Sequence, residues 1–257
     1  MLDVHPPHAP THTWRDFFIH IATICVGLLI AIGLEQTVEA IHHHEQRLQL
    51  EEDLRKDSKV NEVWAADSLH YLDQMIDWAS EEALTVEHGG PVGHLTLRQS
   101  PPGDVSNPNT GVWIAAKGNG QVNLLTGPRQ NWLNDLDWQE TNAFVGENSG
   151  RSHFIAAELA LDLALRGQVT SPATGAELDL SNVGPAQRAR VQECLQNLAE
   201  AAIHLQSEII SWDTSNRLTF SSAGEQPDDL ASDRLYEELR KQTASKYHER
   251  HLVFTPE

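Results

Sequence analysis

The chain has 257 residues, of which 40% are hydrophobic and 21% charged, an ordinary globular composition able to bury a core as one large domain or two small ones. Its formal net charge is −19, and because residues 1–34 hold only Asp3, Arg15 and Asp16, nearly all of that charge falls on residues 35–257. A surface so acidic repels nucleic acid and anionic lipid headgroups, and two isolated cysteines, Cys25 and Cys194, form no disulfide framework.

Residues 1–16 read as a short tail in which His5, His8 and His12 alternate with prolines. Then comes "FFIHIATICVGLLIAIGL", Phe17 to Leu34, with no Asp, Glu, Lys, Arg, Asn, Gln or Pro. At about 1.5 Å per residue this stretch reaches roughly 27 Å, close to the ~30 Å hydrocarbon thickness of a bilayer. Trp14, Arg15 and Asp16 mark one interface and Glu35 and Gln36 the other, so residues 17–34 are expected to form a transmembrane helix in contact with lipid. A cleavable signal peptide is the rival, with Val38-Glu39-Ala40 as its cleavage site. Against it stand the long apolar run and an N-terminal region whose single Arg is offset by two acids. The expectation is a retained signal anchor in a bacterial inner membrane, with the bulk of the chain on the periplasmic side. Within the span, Thr23, Gly27 and Ala31 recur every fourth residue as a candidate helix-helix contact, since small residues let backbones approach closely. His20, one turn inside the boundary, reads as an interface histidine.

From Leu34 to His88 there is neither Gly nor Pro, so nothing local ends a helix that starts in the membrane. Residues 35–59 are polar nearly all round and read as a membrane-proximal helical stalk; the soluble domain is assigned to 60–257. Ala65, Leu69, Leu72, Ile76, Ala79 and Ala83 follow at 4-3-4-3-4 spacing, widened by Trp64, Tyr71, Met75 and Trp78, the stripe of a core-facing helix.

The stretch 88–111 is rich in Gly, Pro, Ser and Asn and reads as a long loop with one short strand at His94 to Arg98, a linker or disordered rather than a lid. "TGVWIAAKG" predicts a short helix, and Thr126-Gly127-Pro128 starts another in which Trp132, Leu133, Leu136, Ala143 and Phe144 share a face. Arg151 to Gly167 is apolar around most of its circumference, which predicts a central helix capped by Gly167. After Pro185, Val191, Leu195, Leu198, Ala202, Leu205, Ile209 and Trp212 keep strict 4-3 steps and predict a long helix packed at a shallow angle. Asp228 or Asp229 would cap a last charged helix from Leu230 to Tyr247, and the closing "HLVFTPE" could dock on the bundle. The fold class is therefore all-α: one N-terminal transmembrane helix followed by a bundle of about five helices.

Chemistry is harder to find. Glu39 with His42 and His43 has the spacing of metal ligands on one helix face, but a di-metal bundle needs a second such pair and none exists, so a hydrated histidine cluster is the better reading. "GNGQVN", Gly118 to Asn123, lacks the third glycine of a nucleotide loop and reads as a turn. Acid pairs such as Asp135 with Asp137 fall on polar faces. No catalytic, cofactor or metal residue is assigned.

The segment "WRDFFIHIATICVGLLIAIGLEQTVEAIHHHEQ", Trp14 to Gln46, resembles a group of uncharacterised bacterial single-pass proteins with this kind of anchor and a helical soluble domain. "VWIAAKGNGQVNLL" is similar to a short helix and glycine turn of the same group. The resemblance implies architecture only, since no activity or cofactor is established for that group. The expected role is a non-catalytic scaffold, sensor or accessory protein that binds a protein partner, a second copy or a small ligand at the membrane surface. The alternative is an anchored enzyme with an unrecognised site.

Overall fold

The computed structural model of the chain describes residues 14–89, 95–165, 178–221 and 230–246. These residues are almost wholly helical, and the chain divides into two compact units, Met1–Leu50 and Glu51–Glu257. Helix α1 runs Trp14–His88, as the absence of Gly and Pro after Leu34 requires.

In the first unit every described residue up to Glu45 is exposed, including Phe17, Ile24, Leu29 and Leu34. Among the described residues one helix is long and apolar enough to cross a membrane, and none of its apolar window is buried by protein. At its start Trp14, Phe17 and Phe18 form a ring cluster with centroids 5.1–5.8 Å apart, side chains suited to a membrane interface. Inside this apolar stretch the Thr23 hydroxyl donates to the Ile19 carbonyl at 2.8 Å, which satisfies the polar group without a partner helix.

In the second unit α1 is followed by α2 (Gly111–Asn119), α3 (Gly127–Glu140), α4 (Gly150–Leu165), α5 (Pro185–Thr219) and α6 (Leu230–Lys246). Packing starts earlier than a stalk at 35–59 allows. Leu54 and Ser58 are each 3% exposed, because these two positions lie one turn apart on the face that the bundle covers while Arg55, Lys56 and Lys59 point outward. The predicted stripe of α1 is buried from Ala65 through Ala83, and every one of the seven apolar positions counted on α5 is at most 1% exposed. Helix α5 is the hub, with α3, α4 and α6 packed along it. Pro185 sits in its first turn, where the missing N–H costs no hydrogen bond.

Helix α4 departs from the central position expected of it. Phe154, Leu161, Ala164 and Leu165 face the core, whereas Ile155, Leu159 and Leu163 stand 43–53% exposed on the opposite side. A helix apolar all round can be buried on one face only when its neighbours cover one face only. The Gly167 cap, Asp228, Asp229 and "HLVFTPE" lie outside the described residues, as do His5, His8 and His12.

The segment 95–110 is the largest difference from the expected linker. Thr96–Leu97 (β1) pairs antiparallel with Leu178–Asp179 (β2) in the register Thr96 with Asp179 and Leu97 with Leu178. Leu95, Leu97 and Val105 are 2%, 0% and 4% exposed, so three apolar side chains anchor the segment as an ordered strap across the bundle.

Truncating a filled core site removes both transfer energy and packing, whereas truncating an exposed site removes neither. Leu205→Ala is therefore expected to destabilise the bundle by about 2–5 kcal/mol, and Leu159→Ala by less than about 0.5 kcal/mol, in chemical denaturation of the full chain.

Candidate functional site

The strap is held by side chains of α1 that bond its backbone. Trp78 Nε1–H donates to the Arg98 carbonyl at 3.1 Å and Trp64 Nε1–H to the Ser106 carbonyl at 3.2 Å. Asn61 brackets Asn109: its amide nitrogen donates to the Asn109 carbonyl at 2.8 Å, and its oxygen accepts the Asn109 N–H at 2.7 Å. From α4, Arg151 Nε donates to the Val105 carbonyl. An irregular segment cannot satisfy its own backbone, so these donors and acceptors take the place of a ladder.

Between the strap and α1 lies an open groove of about 930 Å³. Tyr71, Met75 and Trp78 form its apolar wall and Pro101 and Pro102 its rim, with Glu158 of α4 at one side. Gly103 has φ +148°, and a Cβ there would stand 2.6 Å from Tyr71 Cδ2, so glycine is required where the strap crosses the tyrosine ring. The Tyr71 hydroxyl donates to Glu158 Oε1 at 3.1 Å. Burial, then the neighbouring Glu158 carboxylate, pushes the Tyr71 phenol up; burial also raises Glu158, although the tyrosine hydrogen bond opposes that shift.

The charge of the groove is unbalanced. Arg98 is its only lining cation among the described residues, and Glu82 at 2.6 Å and Glu81 both engage it. Asp77, Glu81 and Glu158 supply the opposite sign. A shaped opening with aromatic walls and excess negative charge can hold a cationic or partly apolar group.

The strap's other end borders a small half-open cavity between α1, α2, α3 and α5, lined among others by Asn61, Thr110, Trp113, Glu140 and Trp212. Thr110 donates its hydroxyl to Glu140 at 3.1 Å, and burial raises the Glu140 carboxyl above its ordinary value.

Two further carboxyls on α5, one buried and one half-buried, have raised pKa values. Asp213, 0% exposed, is raised to about 6 by burial, against the Arg217 guanidinium whose Nε lies 2.8 Å away. Glu208 is raised to about 7 by burial and lies directly over Gly150, where a Cβ would come within 1.8 Å of Oε2. His204 Nδ1 stands 3.6 Å from the other Glu208 oxygen.

The residues singled out in the sequence lie elsewhere. Thr23, Gly27 and Ala31 share one exposed face of α1, and a Cβ on Gly27 would meet nothing within 4 Å. Glu39 and His43 approach to 4.0 Å while His42 bonds Gln46 at 2.9 Å, all exposed. Among the described residues no three His, Cys, Asp or Glu side chains are grouped to hold a metal. "GNGQVN" is a turn: Gly120, at φ 79°, ends α2 and a short 3₁₀ turn follows. Asp137 of the Asp135 and Asp137 pair is tied to Lys117 at 2.7 Å. Of the groove residues, Tyr71, Met75 and Trp78 belong to the core-facing stripe predicted for α1, and Pro101, Pro102 and Gly103 enter only as loop composition; no motif marks them as a site. Comparison of the chain with protein-family models, curated proteins and solved structures finds no match.

These two carboxyls set the sign of the pH dependence. Glu208 folds with a raised pKa, so the stability it permits is fully present below about pH 4.5 and is lost as pH rises through about 7. Glu208→Gln is expected to flatten that fall and to gain on the order of 2 kcal/mol over the native chain at pH 8, read from denaturation midpoints between pH 4.5 and 8.

Proposed function

We propose that the chain is a single-pass protein of a bacterial inner membrane, with residues 51–257 on the periplasmic side. It works without catalysis, as a scaffold, sensor or accessory protein that holds a cationic small ligand or a basic segment of a partner protein at the membrane surface. The observation that carries the reading is the N-terminal apolar helix, whose spanning window has no protein cover at all. An apolar surface of that extent in water would drive aggregation, and lipid removes the cost.

The groove supports the binding half of the reading. Its walls are tied down by the Trp78, Trp64 and Asn61 bonds to the strap, so little ordering remains to be done when a ligand enters. Asp77, Glu81 and Glu158 within it select positive charge, and Tyr71 and Trp78 offer aromatic surface on which an alkylammonium group packs well. The acidity of the whole chain steers the same class of ligand toward it.

Two measurements on the full chain test this. A C-terminally tagged protein should stay in the membrane pellet at full mass after carbonate extraction, and lose its tag to protease in spheroplasts; a soluble, shortened product would defeat the anchor. In lipid nanodiscs, spermidine should bind with an affinity that falls with salt and drops about tenfold in the Asp77→Asn, Glu158→Gln double variant. Equal binding by both proteins, or none by either, would remove the groove as a cation site.

A further inference from the structure

At the end of its apolar stretch and beyond it, helix α1 carries one apolar stripe on its surface. Leu34, Val38, Ile41 and Leu48 follow at steps of 4, 3 and 7 residues and are 64%, 66%, 56% and 49% exposed. The spacing is the seam of a heptad repeat, with Val38 at an a position and Leu34, Ile41 and Leu48 at d; Ala31 and Gly27 carry the same register back into the apolar stretch. After Leu48 the register turns to Glu52, Arg55 and Lys59, charged and exposed, while Leu50, Leu54 and Ser58 are the buried positions.

Lipid cannot cover the whole stripe. At about 1.5 Å per residue, Ile41 and Leu48 stand roughly 10 and 21 Å past Leu34, whereas the headgroup layer outside the hydrocarbon is only about 5–8 Å deep. A helix that covers them must leave the same membrane in the same direction, since the register runs unbroken from Gly27 to Leu48. Charge decides which helix. The chain carries a net −19, yet the positions flanking the stripe between 36 and 50, Thr37, His42, His44 and Gln49, include no carboxylate. A basic partner would be met by acids there; an acid-free flank suits a second copy of the same acidic chain. Val at a with Leu at d favours two parallel strands, and Glu45, a single polar a position, fixes the register at a cost in stability.

We propose that α1 pairs in parallel with α1 of a second copy along Leu34, Val38, Ile41 and Leu48, which makes the chain a homodimer joined at its membrane-proximal segment. This pairing rests on the anchored reading, because a shared membrane holds both copies in one direction and raises their effective concentration for so short a seam.

The test is disulfide scanning of the full chain in native membranes, in a Cys25→Ser background that leaves only the buried Cys194. Under mild oxidation Val38→Cys, Ile41→Cys and Leu48→Cys should each give a product of twice the chain's mass, about tenfold more than His43→Cys, which lies on the opposite side of the helix. Val38→Glu with Ile41→Glu, added to the Leu48→Cys chain, should cut that product about tenfold with helical circular dichroism unchanged, because both sites are exposed. Equal yields at all four cysteine positions, or none, from chain recovered in the carbonate-washed pellet would overturn the pairing and leave the anchor standing. A crosslink to a protein of another mass would overturn the second copy as the occupant. Chain recovered in the soluble fraction would overturn the anchor and the pairing with it.

Discussion

Three aromatic rings from three elements hold the bundle in register. Trp212 of α5 meets Trp64 of α1 edge to face at 5.4 Å and Phe144, in the turn after α3, at 6.1 Å, while Trp64 and Phe144 themselves stand 5.3 Å apart. Edge-to-face pairs fix direction as well as distance, so this triangle sets how α1, α3 and α5 can approach. Everything placed near it inherits that geometry. Trp64 also uses its N–H to hold Ser106, which makes one residue both a core ring and the middle fastening of the strap. Losing the triangle would therefore loosen the strap even though the strap does not touch Trp212 directly through any hydrogen bond.

The consequence for function is that the groove and the cavity are built by the same segment from the same helix. Residues 95–110 run along α1 with fastenings at Trp78, about four turns from the next, and at Trp64 and Asn61, which lie within one turn of each other. The groove opens where the strap stands away from α1 at Pro101 and Pro102; the cavity forms where it returns at Asn109. Proline at the rim suits this, because it needs no backbone donor satisfied at the place where the strap leaves its partner.

What could be read from sequence was whatever repeats. The 4-3 spacing on α5 and on the second half of α1 located buried positions correctly because helix packing against a core writes a period into the chain. The same logic misjudged α4, since composition shows that a face can be buried and only the neighbours decide whether it is. It also drew the packed region too short: Leu50, Leu54 and Ser58 are buried at four-residue steps, but two leucines and a serine among so many charges make a weak period. The strap was illegible for a related reason. Its order comes from pairings across long sequence separations, such as Trp64 with Ser106 and Asn61 with Asn109, and these leave no local mark in a stretch rich in Pro, Ser and Asn.

Buried polarity is distributed unevenly, and its location is informative. Along α5 the apolar stripe gives way after Trp212 to Asp213, Thr214, Ser215, Asn216 and Thr219, all 3% exposed or less. The two threonines satisfy themselves on carbonyls one turn back, and Asn216 donates to the Ser58 carbonyl of α1 at 3.2 Å. Gln139 of α3 reaches Ser215 at 2.9 Å. Replacing both partners of such a bond by apolar groups of the same shape can be neutral or stabilising, because a hydrogen bond gained in folding only modestly exceeds the one given up to water. Their concentration at the end that carries the cavity and the strap's last fastening thus points away from stability as their reason. Directional bonds permit one arrangement of α1, α3 and α5 where apolar contact would tolerate several, and a single arrangement is what a preformed binding surface needs.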